Sequence, residues 1–262
     1  MNSAFYLKWL LSLFVGGAWV TLSTMVAEKV NPKLGGLIAG VPSTAVITLL
    51  FIALTQSPEK AVAATTVIPM STGFYCLFFI AYLLATRKGF VKGLSIALLV
   101  WLLFSVLAVK LNVQSITTSL MTWVLFVSAS IWYASTQIKL KEVGQIKIKY
   151  TLAQLLGRAL FSGVIISFGV IMSKLAGPVW GGVMSTFPAL TIASFLITIR
   201  TGGLEFTRHL ARNILISTTI NIVLYAMVVR FTYLSYGVFW GTLLAYTATL
   251  GFTLLLNKVV KK

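Results

Sequence analysis

The chain has 262 residues, of which 58% are hydrophobic and 10% charged, with a net charge of +17. Its mean hydropathy of +0.97 and its recurring apolar runs of about 20 residues exclude a water-soluble domain and match the length a helix needs to cross a bilayer. The charge invites a nucleic-acid partner. The Lys and Arg residues, however, sit between apolar runs rather than in one patch, so no nucleic acid is expected; the partner is the lipid bilayer, with an anionic surface suited to the basic loops.

Nine spans are expected, over residues 5–27, 34–55, 60–85, 90–110, 116–136, 152–175, 179–199, 210–231 and 234–256. The fold class is all-α, a polytopic membrane helical bundle. The first run is too long and its basic start too weak for an ordinary cleavable signal peptide. The longest polar stretch, 137–151, leaves no room for a soluble domain. Cys76 lies inside an apolar run and is the single cysteine, so it forms no internal disulfide and is expected to pack in the core.

Lys and Arg distribution sets the orientation. An odd span count puts the termini on opposite sides. Of the 21 basic residues, Lys8, Lys60, Lys110, Lys174 and Arg230 fall on the side of the N-terminus and the other sixteen fall opposite. Basic loops stay cytoplasmic. The expectation is therefore a multi-pass protein of the cell (inner) membrane, N-terminus outside and C-terminus cytoplasmic.

The chain also repeats itself. Gly35-Gly36-Leu37-Ile38-Ala39-Gly40-Val41-Pro42 is matched 146 residues later by Gly181-Gly182-Val183-Met184-Ser185-Thr186-Phe187-Pro188. At the same offset Pro32 meets Pro178, Glu59 meets Glu205, Ser71 meets Ser217 and Thr72 meets Thr218. Gly, Pro, Glu, Ser and Thr carry the signal, which chance matches between apolar runs do not produce. This divides the chain into a four-helix repeat over 1–110, a linker span with a basic cytoplasmic loop over 111–151, and a second four-helix repeat over 152–262. A shift of five spans inverts the second repeat, the arrangement common in secondary transporters.

Pro42 and Pro188 fall near the midplane of their spans, about 12–13 Å in at ~1.5 Å per helical residue. Proline lacks an N–H and clashes with the carbonyl four residues back, and paired glycines weaken the helix further. Gly35, Gly36, Gly181 and Gly182 are the candidate hinges. The plainer reading is a pair of kinked but continuous helices. The sharper one is two broken spans, with each proline in the first turn of the following helix and unpaired backbone groups facing the protein centre. Hydroxyls cluster at this depth. A central cavity is expected to be lined by Ser43, Thr44, Ser71, Thr72, Ser185, Thr186, Ser217, Thr218 and Asn221, beside Pro42 and Pro188. Asn221 has interhelical bonding as its plainer role. Glu59 and Glu205 suit the first turns of helices, where the dipole favours negative charge. Arg158, Lys110 and Lys174 are expected to snorkel to the membrane surface, with an anion gate as the alternative role for Arg158.

Enzyme chemistry is not expected. The acidic residues are Glu28, Glu59, Glu142 and Glu205, with no Asp, and His209 is the single histidine. No metal set, catalytic triad or nucleotide-binding loop can be assembled, so no metal, cofactor or catalytic residue is assigned. A strongly cationic solute would lack a midplane counter-charge.

The segment Val179-Trp180-Gly181-Gly182 through Phe187-Pro188, followed by Gly203-Leu204-Glu205 and Arg208, resembles the GlpM-like small membrane proteins. The resemblance covers about 178–231 and, more weakly, 32–85, where Val41-Pro42 replaces Phe-Pro and Pro58 stands for Gly. It implies a bacterial or archaeal-type inner-membrane protein of undefined activity, here as a tandem inverted duplication. The expected function is a secondary transporter or facilitator for a small neutral or anionic solute, with its site between the repeats. The alternative is a non-transport membrane scaffold in envelope or lipid metabolism.

Overall fold

The computed structural model describes residues 3–29, 42–140 and 151–260. They form α1 (Ser3–Lys29), α2 (Ser43–Thr55), α3 (Pro58–Thr65), α4 (Ile68–Ala85), a 3-10 turn (Thr86–Lys88), α5 (Phe90–Leu111), α6 (Ile116–Thr136), α7 (Leu152–Ala176), α8 (Pro178–Ser185) and α9 (Ala189–Val260). Among the described residues there is no strand. Six helices among the described residues are long and apolar enough to cross a membrane, counting residues 178–255 as one.

α9 is a folded strip of three helical segments rather than one rod. Gly203 (φ 71°, ψ −173°) and Gly237 (φ 76°, ψ 167°) leave helical geometry. Both adopt a backbone region that is essentially glycine-only. The chain reverses at each. Tyr82 stacks on Phe195 with ring centroids 4.3 Å apart and bonds Thr207 Oγ1 at 2.9 Å, so the segments flanking Gly203 lie side by side on α4. Beyond the second reversal, Tyr233 Oη and Thr242 Oγ1 are 2.8 Å apart. The turn expected at residues 232–233 therefore falls at Gly237. Thr232 and Tyr233 are buried in the hairpin instead.

The single span expected over 60–85 is two helices. α3 ends at Thr65 and α4 begins at Ile68, with Pro69 in its first turn. Pro69 has no N–H to donate back and crowds the carbonyl of Thr65, so a continuous helix cannot pass this point. Ser57 starts α3 as a cap whose side chain accepts from Lys60 N, with Glu59 in the first turn. Residue 215, the repeat equivalent of Pro69, is Leu, and the helix there runs on.

α4 lies at the centre. Of its most apolar stretch 72% is buried, against 17% for α6. Around it the outer helices turn apolar side chains outward, among them Leu103 of α5, Leu125 of α6, Leu160 of α7 and Phe239 of α9. This is the surface a bilayer solvates. α1 and α7 pack antiparallel at close range. A Cβ on Gly17 would collide with the Ala159 carbonyl, and one on Gly163 with the Leu13 carbonyl, the small-residue contact that membrane helices use. Trp9 Nε1 donates to Ser167 O at 2.8 Å and Lys8 Nζ to Leu54 O at 2.9 Å, fixing the start of α1 against α7 and α2.

Candidate functional site at a helix interruption

The second GG-to-Pro element is broken, and the break falls after the glycines. Gly181 and Gly182 lie within α8; residues Thr186, Phe187 and Pro188 separate α8 from α9. The glycines serve close packing. A Cβ on Gly182 would collide with the Ala64 carbonyl, and one on Gly181 would stand 2.6 Å from Ser173 Cβ. Of the two sequence readings, the structure takes the broken one, because Pro188 cannot continue α8. Pro188 caps α9 rather than entering its first turn, and its carbonyl accepts from Ile192 N at 2.8 Å. Pro42 does the same for α2, accepting from Val46 N at 2.9 Å. Gly35, Gly36 and Val41 of the first element lie outside the described residues.

The interruption is not left with open backbone groups on every side. Thr186 N bonds Val183 O, Phe187 N bonds Met184 O, and Ala189 N bonds Phe187 O at 2.7 Å. Phe187 sets its ring against Trp101 of α5 at 4.9 Å and Phe161 of α7 at 6.3 Å.

Buried hydroxyls join α4 to this break. Ser71 Oγ and Thr186 Oγ1 are 2.7 Å apart, and Tyr75 Oη and Thr191 Oγ1 are 2.6 Å apart. Ser71 and Thr186 are 1% and 2% exposed, so they close on one another in this conformation. Met70 N at the start of α4 donates to Ser119 Oγ of α6 at 2.9 Å.

The other expected site residues separate into two groups. Ser43, Thr44, Thr72, Ser185 and Asn221 are buried, as are Pro42 and Pro188. Ser185 Oγ bonds back to Gly182 O at 2.7 Å within its own helix. Ser217 and Thr218 are only half-buried, and Ser217 Oγ bonds back to Asn213 O at 3.0 Å. Thr219 is the fully buried hydroxyl of that run and lies within reach of the Cys76 thiol. The helical period turns Thr219 inward, and the sequence run Ser217-Thr218-Thr219 did not distinguish the three.

Two arginines tie residues 204–236 to α3 and α4 and were not read as site residues. Arg208 pairs with Glu205 Oε1 at 2.7 Å and donates to Leu83 O at 3.3 Å. Glu205 thus has an ionic partner as well as its place near a helix start. Arg230 Nη1 reaches Thr66 Oγ1 at 3.0 Å, Thr65 Oγ1 at 3.3 Å and Val62 O at 3.4 Å. These acceptors sit at the end of α3: two are hydroxyls and the third, Val62 O, is one of the last carbonyls of the helix, which lack helical donors. Arg158, expected to snorkel, is 2% exposed and so turns into the protein. Cys76 is buried, as expected. Among the described residues no group of His, Cys, Asp and Glu is placed to hold a metal.

A family of proteins of unknown function, DUF3147, matches residues 9–114. The match runs from α1 to α5; it takes in the weaker GlpM-like stretch, 32–85, and not the stronger one, 178–231. No curated protein and no solved structure matches the chain.

Proposed function

We propose that this protein is a secondary transporter or facilitator for a small neutral or anionic solute, built from two inverted four-helix repeats across about nine spans. The observation that carries the reading is the interruption at Thr186–Pro188, buried against Ser71 of α4. Interrupted helices at membrane depth are tolerated only inside protein or against a cavity, and they mark solute sites in transporters. Several observations support the repeat. Pro42 and Pro188 cap their helices identically. α3 and α4 together run antiparallel to residues 204–236, with contacts at Arg230–Val62 of α3 and Arg208–Leu83 of α4. Between these contacts Thr219 lies within reach of the Cys76 thiol, one turn beyond Thr72. The family match ends at residue 114, close to the proposed end of the first repeat at 110. On this reading the Ser71–Thr186 pair closes the path between the two repeats.

The second reading, a membrane scaffold, draws on the same hydroxyls. Pairs that satisfy one another also suit a permanently packed interior. A thermal-stability screen of the purified protein separates the two. Transport of a neutral or anionic solute predicts that one such solute raises the melting temperature; saturation at 100 times Kd contributes about 2.7 kcal/mol. Stabilisation by cations alone would contradict the charge assignment.

A further inference from the structure

A cleft of about 420 Å³ opens where α3, α5 and α8 come together, lined by Thr66, Asn112, Gln114, Pro178 and Trp180 among others. Among the described residues its lining carries no carboxylate, and the first turn of α8 forms one wall. α8 then leads from this cleft directly to the break, since it ends at Ser185 and Thr186 meets Ser71. Two further hydroxyls lie along its flank. Ser173 of α7 stands beside Gly181, and Thr48 of α2 stands with Met184 around Gly169. Both are buried, at 2% and 0% exposure, and neither hydroxyl oxygen has a hydrogen-bond partner. A buried hydroxyl without a partner is costly and calls for a water or a ligand to explain it.

Resting on the transport reading above, we propose that α8 is the wall of the solute path. The cleft is its mouth, Ser173 and Thr48 are its hydrogen-bonding steps, and the Ser71–Thr186 pair is its inner stop. The path is shut where Gly182 packs on Ala64 and Val67, since a Cβ there would collide with the Ala64 carbonyl and with Val67 Cγ1. Short half-helices α3 and α8 are thus the two leaves of a gate, and Arg230 anchors the end of the α3 leaf. Hydroxyls donate and accept, and the positive end of the α8 dipole faces the mouth, so the path suits neutral polar solutes and small anions over cations.

The test uses the full chain with Cys76→Ser in liposomes and single cysteines at Thr66, Ser173, Thr48 and Thr186, probed with anionic and cationic methanethiosulfonates. Thr66→Cys should react fastest. Ser173→Cys and Thr48→Cys should react more slowly, and with the anionic reagent at least tenfold faster than with the cationic one. Gly182→Ala, which wedges α8 from α3, should raise both rates, whereas a cysteine at lipid-facing Leu243 should not respond. If Gly182→Ala does not fold, Val67→Ala loosens the same contact without adding atoms, since Val67 Cγ1 packs on Gly182. Reaction at Thr186→Cys with none at Ser173→Cys and Thr48→Cys would overturn this path while leaving transport standing. No reaction at any buried position would overturn both.

Discussion

Ser71 and Thr186 couple two parts of the chain 115 residues apart through one hydroxyl pair. Interhelical hydrogen bonds in membranes contribute about 0.6 kcal/mol on average and up to ~1.7. A double-mutant cycle of Ser71→Ala and Thr186→Val should therefore give a coupling of about 0.5–1.7 kcal/mol, measured by unfolding in detergent. Zero coupling would mean that the two hydroxyls do not meet. Arg230 should matter more, because it serves three acceptors at the α3 terminus and hydrogen bonds to charged groups contribute about 1.5–3 kcal/mol. Arg230→Met should cost a figure in that range in the same assay, and Arg230→Lys should restore only part of it, since an ammonium lacks the planar fork. At this scale the sequence was partly legible. Ser71 stood out because it recurs as Ser217 at the repeat offset, and Thr186 because it lies two residues before Pro188. Thr191, Thr207 and Arg230 did not, because their roles depend on which helix lies opposite, and no local pattern records that.

Helix boundaries follow from proline and glycine chemistry. The expected span 116–136 coincides with α6, and 90–110 and 152–175 each differ from α5 and α7 by one residue. Uninterrupted apolar runs with capping residues such as Ser115 and Thr151 make those limits readable. The failures share a cause. Pro69 splits the span at 60–85, and the final turn moves from 232–233 to Gly237, because Thr232 and Tyr233 bury well and only a glycine takes the required backbone. Gly203→Ala and Gly237→Ala should each cost about 1–3 kcal/mol by placing a Cβ in a glycine-only conformation. Melting temperature in detergent reads the loss. An unchanged value for either variant would mean that the reversal is not fixed at that residue.

The whole molecule places a buried α4 inside a ring of helices with apolar outer faces, the arrangement a bilayer imposes. All-helical architecture was legible from composition alone. The packing of α8 on α3 was not, since it rests on Gly182 meeting one particular carbonyl. The sixteen-to-five split of Lys and Arg predicts an outside N-terminus and a cytoplasmic C-terminus. Protease access to terminal tags in intact cells should cut the N-terminal tag alone; loss of the C-terminal tag would refute the orientation, and like behaviour of both tags would refute the odd span count. The central claim is that the interior opens to solute. Thr44 and Thr186 are 8% and 2% exposed, so a reagent can reach them only through such an opening. The direct measurement is thiol labelling of Thr44→Cys and Thr186→Cys, each in a Cys76→Ser background. The account predicts that both react with small water-soluble reagents and that a stabilising solute protects both. Failure of both to react from either side, in chains that remain folded, would contradict it and leave a dry scaffold in its place.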